Sequence, residues 1–168
     1  PDTAISGFSS RATLTILAMF ILSEGVQQTG AIQRLGRRVS SFTQGNKDRL
    51  LGATVGITGP IAGIVNNTPV VAMFIPMVTD LADESHVSPS KLLIPLSYAA
   101  MLGGTLTLVG TVTNVLASDL TAQLVPGRSS IGMFEFTPVG ALILVVGVAY
   151  LLTVGQYLLP ERIHPVDL

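Results

Sequence analysis

Charged side chains divide the chain into long uncharged segments. No Asp, Glu, Lys or Arg lies in residues 50–79, 92–118 or 136–160. Each segment is long enough to cross the hydrocarbon core of a bilayer, which takes about 20 apolar residues. A fourth span, over residues 12–30, reaches that length only by including Glu24. The pattern predicts an all-α membrane protein whose connecting segments carry most of the charge.

The segment 50–79 is too long for one upright span and is polar at its centre. A continuous helix over it would be about 45 Å long, against a hydrocarbon core of about 30 Å. Asn66, Asn67 and Thr68 interrupt the apolar run, and Pro69 follows them. Asn67 or Thr68 suits the N-cap of a second helix, and proline is tolerated in a first turn. We therefore predict a re-entrant hairpin of two half-helices with these polar residues at its tip.

A second polar interruption lies within the segment 92–118. Its stretch from Gly103 to Asn114 contains four threonines, three glycines and one asparagine, so we predict that the transmembrane helix is broken here. Unpaired backbone groups are costly in lipid, so a broken helix persists only inside protein or beside a watery cavity. Two such breaks at similar depth are typical of a transporter site, where helix N-termini face an anion.

Glycine packing is the alternative explanation for both segments. The pairs Gly52 and Gly56, and Gly59 and Gly63, have the spacing that lets helix backbones approach closely without any ligand. The adjacent asparagines of the first interruption are harder to explain by packing, because two amides that point to different sides of a helix must both find partners in hydrocarbon. This favours a functional site there.

Composition agrees with membrane insertion and argues against several kinds of site. Apolar residues make up 48% of the chain and charged residues 11%, and the mean hydropathy is +0.62. The absence of cysteine and the presence of only 2 histidines argue against a metal site of thiolates or imidazoles. A net charge of −1 without a basic stripe argues against nucleic-acid binding. The long uncharged segments lack acid–base groups, so we expect no enzyme.

Lysine and arginine predict the orientation in the membrane. Residues 31–49 carry five of them against one aspartate, the strongest positive-inside pattern in the chain. Apolar residues recur there every three or four positions, which predicts a cytoplasmic amphipathic arm. With 50–79 re-entrant, 92–118 crosses outward and 136–160 returns. We expect a multi-pass protein of the cell (inner) membrane. Because the chain starts at Pro1 without Met, we expect it to be part of a longer protein.

These motifs give the chain a specific family resemblance. The stretches "IVNNTPVVAMFIPMV", "LIPLSYAAMLGGTLTLVGTVTNVLAS" and "FEFTPVG" are similar to the amino-terminal membrane repeat of the divalent anion:sodium symporter family, in particular its sulfate-permease-like branch. The similarity covers nearly the whole chain. It implies one inverted-repeat half of an elevator-type ion transporter. A second inverted repeat would complete the site, and the full-length protein would form a homodimer.

The resemblance also implies which residues hold the ions. Sodium, the coupling ion, would be ligated by Asn66, Asn67 and Gly110. The small inorganic or dicarboxylate anion would contact Asn67, Thr68, Thr111, Thr113 and Asn114. Asn66 stands where the family has serine, so its amide oxygen can serve a hard cation but is bulkier. Gly110 is expected to supply backbone freedom in the unwound loop.

The function predicted on this basis is secondary active transport of a divalent anion, such as sulfate or a dicarboxylate, coupled to sodium. No Lys or Arg lies in either interrupted segment, so helix N-termini, amides, hydroxyls and sodium must offset the anion's charge. One alternative is a proton- or sodium-coupled antiporter or oxyanion exporter of the same superfamily, for which Glu24 is the nearest ionisable residue. Another is a non-transporting membrane scaffold. The sequence leaves the identity of the anion open.

Overall fold

The computed structural model describes residues 8, 10–30, 34, 47–84 and 87–159, and within them it contains helices and no strand. The all-α prediction is confirmed for this part of the chain. The predicted amphipathic arm falls almost entirely outside the described residues. The helices are α1 (Arg11–Gln28), α2 (Lys47–Ile64), α3 (Asn67–Glu84), α4 (Ser90–Gly104), α5 (Val112–Leu124) and α6 (Thr137–Tyr150). Helix α6 continues through a π-helical turn, Leu151–Gly155, into Gln156–Leu158.

Local chemistry explains both ends of α1. Ser10 is its N-cap, and the Ser10 hydroxyl accepts a hydrogen bond from the Thr13 backbone N–H at 3.2 Å. At the other end, the Gly30 N–H donates to the Gln27 carbonyl at 3.2 Å. Gly30 has a φ of +65°, a left-handed conformation that glycine adopts without steric cost. The helix therefore stops at this glycine.

Helices α2 and α3 are longer than the arms predicted for the hairpin. Each has 18 residues and is therefore about 27 Å long. The difference lies at their outer ends, where α2 begins with Lys47 and α3 runs on to Glu84. Backbone hydrogen bonds continue past the point at which charged side chains begin, so charge marks the end of the apolar part and not the end of the helix.

Helix α4 is the centre of the fold and packs against α2, α3 and α6. Its buried face meets aliphatic side chains from both preceding helices and the large ring of Phe74, which is fully buried. The main core cluster includes Leu50, Val55, Ala62, Val70, Phe74, Val78, Leu92, Leu96, Ala99 and Ala100. A smaller cluster joins α1 to α5 through Ala12, Met19 and Val115.

Glycines bring α2 and α4 into backbone contact. A Cβ atom added at Gly103 would overlap the Gly59 carbonyl, and one added at Gly63 would lie 3.0 Å from the Gly103 carbonyl oxygen. The packing explanation is thus confirmed for Gly59 and Gly63. A Cβ at Gly52 or Gly56 would meet nothing within 4 Å in the described part of the chain.

Helix α6 lies against the loop that follows α4. A Cβ atom at Gly140 would overlap the Thr105 carbonyl, while the Thr137 hydroxyl donates to the Leu106 carbonyl at 2.7 Å. The opposite side of α6 exposes apolar residues such as Val145 and Val146. The helical stretch Thr137–Leu158, with 22 residues, is the one candidate within the described chain that is long and apolar enough to cross a membrane.

Candidate functional site

A backbone hydrogen bond joins the two polar interruptions. Helix α2 ends at Ile64 and α3 begins at Asn67, while α4 ends at Gly104 and α5 begins at Val112. The helix ends therefore fall where the polar residues predicted them. The Asn67 N–H donates to the Gly110 carbonyl oxygen at 3.1 Å, so the start of α3 lies against the loop between α4 and α5.

Thr107 forms a second link between the two interruptions, whose meeting point we call the junction. Its hydroxyl donates to the carbonyl of Gly63, in the last turn of α2. The sequence prediction did not single out this threonine. Its position in the middle of the predicted helix break is the sequence feature that could have identified it. Such a hydroxyl can satisfy a carbonyl at a helix C-terminus, where the backbone has no intrahelical donor.

Asn66 caps α3, one residue earlier than predicted. Its Oδ1 accepts a hydrogen bond from the Thr68 N–H at 3.2 Å, the contact expected of an N-cap side chain. The residue is only 3% exposed, and its buried Nδ2 has no hydrogen-bond partner in the described structure. The oxygen predicted to bind sodium thus accepts one hydrogen bond and keeps a second lone pair. The remaining donor suits an oxyanion better than a cation.

Asn67 and Thr68 lie at the mouth of a cavity of about 370 Å³. The Thr68 hydroxyl donates to Asn67 Oδ1 at 3.4 Å. The opposite wall belongs to α4 and includes Ser97 and Met101. The described structure therefore places two of the predicted anion contacts on a surface that is open to a ligand.

The predicted anion contacts at the start of α5 differ in burial and in hydrogen bonding. Asn114 Nδ2 donates to the carbonyls of Gly104 and Thr107, at 3.1 and 2.9 Å, and so closes the loop. Thr111 is half-buried at the N-cap position of α5 without a side-chain capping bond. Thr113 is exposed, and no hydrogen bond in the described part of the chain joins it to Asn67 or Thr68.

Gly110 is buried, and its role differs from the expected one. Its φ is not positive, so the loop does not need glycine for backbone conformation. Glycine is needed at this position because there is no room for a side chain. A Cβ at Gly110 would lie 2.5 Å from the Gly104 carbonyl oxygen. Its own carbonyl accepts from Asn67 and keeps a second lone pair, which is available to a cation.

The electrostatic potential at the junction comes from backbone dipoles. The first turns of α3 and α5 both start here, and neither contains a charged residue. Partial positive charge at helix N-termini favours an anion. Glu24 lines a separate cavity of about 450 Å³ together with Pro69 of α3, and it accepts a hydrogen bond from Gln28 at 3.1 Å. An ionisable group thus lies near the start of α3.

The sequence is similar to known transport proteins. The sequence profile of the citrate transporter family CitMHS matches residues 1–166. An uncharacterized transporter from Synechocystis sp. is 46% identical over 162 residues, which are 96% of this chain and 26% of that protein. A probable sodium/sulfate cotransporter 3 from Chlamydomonas reinhardtii is 33% identical over 165 residues, 94% of this chain and 18% of its own length.

Uncharacterized transporter YfbS of Escherichia coli is 32% identical over 163 residues, 94% of this chain and 26% of that protein. The chain thus spans about a quarter or less of the length of these relatives. No solved structure matches the chain. The resemblance drawn from the motifs is confirmed by the family profile and by relatives named sodium/sulfate cotransporters. The chain belongs to the CitMHS citrate transporter family, whose members are membrane transport proteins and not enzymes.

Proposed function

We propose that this chain forms one repeat of a secondary active transporter that moves a divalent oxyanion, sulfate or a dicarboxylate, together with sodium. The observation that carries the proposal is the hydrogen bond from Asn67 to Gly110, which brings two helix interruptions together at the start of α3. Relatives named sodium/sulfate cotransporters support the choice of ions. A second inverted repeat completes the site within a homodimer in the cell (inner) membrane.

The proposed site divides its ligands by chemistry. Asn67 Oδ1 and the Gly110 carbonyl are hard oxygen donors for sodium. Thr111 offers its hydroxyl to the anion beside the N-termini of α3 and α5, and Thr68 does so when its hydroxyl proton turns from Asn67 Oδ1 to the anion. Asn66 is retained near the anion through its unpartnered Nδ2.

Two predicted anion contacts have secondary roles in this proposal. The Asn114 amide shapes the loop through its two bonds to backbone carbonyls. Thr113 faces outward from α5, where the second repeat would approach. The anion contacts that this repeat supplies on its own are therefore those at its helix N-termini.

Sodium-dependent uptake tests the proposal directly. We expect the intact protein, reconstituted in vesicles, to accumulate radiolabelled sulfate or succinate when sodium is high outside. Replacement of sodium by potassium should abolish this uptake, because an unaccompanied dianion meets a strong electrostatic barrier at low dielectric. Collapse of a proton gradient should leave the initial rate unchanged. Binding and uptake without any sodium dependence would contradict the coupling, and no uptake at all would support a scaffold.

The proposed transporter repeat includes the predicted re-entrant hairpin, which α2 and α3 would form. The apolar part of each helix is shorter than the about 20 residues of a full span. We expect single cysteines at Gly45 and Ser85, which flank the pair in sequence, to react with a membrane-impermeant reagent from the cytoplasmic side only. Labelling of the two positions from opposite sides would show that the helices cross the bilayer.

A proton-coupled antiporter is the second candidate, and the cavity shared by Glu24 and Pro69 favours it. Glu24→Gln separates the two functions. Under the proposed symport, sodium-driven uptake by this variant should stay within about twofold of the wild type, because no charge is removed from the ion site. Glu135→Gln is the matched control, since Glu135 lies in an exposed loop and pairs with Arg128 at 3.4 Å. Selective loss of activity in Glu24→Gln would favour proton coupling.

A further inference from the structure

A groove of about 460 Å³ runs along the outer side of α4 and α6, away from the proposed ion site. No charged residue lines it in the described structure. Its walls are apolar and aromatic: Ile94, Tyr98 and Leu102 from α4, and Tyr150, Leu151 and Leu158 from α6 and its continuation. Its volume lies within the range of ligand pockets in proteins, about 300–1,000 Å³.

Two glycines and a π-helical turn lie along this groove. Gly147 and Gly155 both line the groove. At Gly147 the Leu102 side chain occupies the space that a Cβ would need. The π-helical turn Leu151–Gly155 widens α6 between them. Such turns inside α-helices are often found at functional sites.

The groove covers one half of the spanning helix. Thr137–Leu158 has 22 residues and is about 33 Å long, so Gly147 lies at its middle and Leu158 at its end. Helices α4 and α6 run antiparallel, since Gly147 meets Leu102 whereas Leu158 shares the groove with Ile94. The groove therefore extends about 16 Å from mid-helix to one end, close to half of the hydrocarbon thickness.

The geometry points to one acyl chain of a phospholipid as the occupant. The groove is continuous with exposed apolar residues of the spanning helix, such as Val146 and Val154, which suit contact with lipid tails. Its outer end lies where headgroups begin. Lys91 is one turn before Ile94, and Tyr157 is 84% exposed beside Leu158. Basic and aromatic residues are enriched at that level of a membrane. The inference requires that α6 spans the bilayer and does not depend on which ion is transported.

Photolabelling in nanodiscs tests the inference. The intact protein is reconstituted in phosphatidylglycerol that carries a diazirine near the end of one acyl chain, and labelled peptides are identified by mass spectrometry. Labelling should concentrate on the peptides of Tyr98 and Tyr150. Ile94→Trp fills the groove and should lower this labelling about tenfold, the effect of two fewer buried methylene groups. Val145→Trp adds similar bulk on the opposite side of α6, where Val145 is 67% exposed, and should leave the labelling unchanged.

Two outcomes would overturn the inference. Labelling spread evenly over the exposed face of α6, and equal in both tryptophan variants, would mean that lipid contacts the helix only as bulk solvent. Cross-links from a photoreactive phenylalanine at Tyr98 to another protein segment would mean that protein fills the groove. Because sodium-driven uptake is measured separately on the same variants, failure of the lipid site is distinguishable from failure of the transport proposal.

Discussion

Asn67→Ala is expected to abolish sodium-coupled uptake while leaving expression near normal. The substitution removes the whole Asn67 amide, whose oxygen is a sodium ligand of the proposed site and whose NH2 group is the donor predicted to contact the anion. Each hydrogen bond to a charged group contributes about 1.5–3 kcal/mol, so the loss of two predicts a decrease in uptake of about hundredfold or more. The fold should survive, because the bond that joins α3 to the α4–α5 loop comes from the Asn67 backbone N–H, which alanine retains.

A threonine pair provides the control for this prediction. Thr68→Val should weaken anion affinity more than sodium affinity, since its hydroxyl lies at the start of α3 beside the open cavity. Thr153→Val removes a hydroxyl that bonds only to carbonyls of its own helix, Ala149 and Tyr150, and should change neither affinity. Wild-type uptake by Asn67→Ala would place the ion site elsewhere in the protein.

Gly103→Ala is expected to destabilise the fold by about 3 kcal/mol, the upper part of the range for an overpacked site. The added methyl group would overlap the Gly59 carbonyl, which is backbone and cannot move to another rotamer. Helices α2 and α4 would have to separate. Denaturation of the purified protein in detergent, followed by circular dichroism, measures the effect.

Gly56→Ala is the matched control on the facing helix. A Cβ at Gly56 meets nothing within 4 Å in the described structure, so the methyl group is accommodated. Alanine also has the higher helix propensity, by about 1 kcal/mol, and this variant should be as stable as the wild type or more stable. Equal destabilisation of both variants would contradict the proposed contact between α2 and α4.

The helix interruptions could be predicted because they depend on local sequence. Asn66 and Asn67 break an apolar run, and Gly103 to Asn114 replaces aliphatic residues with glycine and threonine. The contact between the interruptions could not be predicted from such patterns. Thr107 and Gly63 are 44 positions apart, and only the packing of α2 on α4 brings them together. The family resemblance singled out Asn67 and Gly110 but neither their hydrogen bond nor the bond between Thr107 and Gly63.

The roles of individual residues could not be predicted from the sequence either. Asn66, Asn67 and Thr68 all have side chains that can cap a helix, so the choice among them depends on which oxygen reaches a free N–H in three dimensions. The structure selects Asn66, whose oxygen accepts the Thr68 N–H. Similarly, the importance of Gly110 could be predicted, but its cause is the nearby Gly104 carbonyl and not its backbone angles.

The bond between Asn67 and Gly110 has an evolutionary consequence, because it consists of main-chain atoms alone. Any amino acid except proline at position 67 can supply its donor. Position 110 favours glycine, because a Cβ there would lie 2.5 Å from the Gly104 carbonyl oxygen. Substitutions that change the side chains at 66, 68 or 111 therefore leave this join intact. Under the proposed function, such substitutions alter the groups offered to the ions while the two interruptions stay joined at the same point.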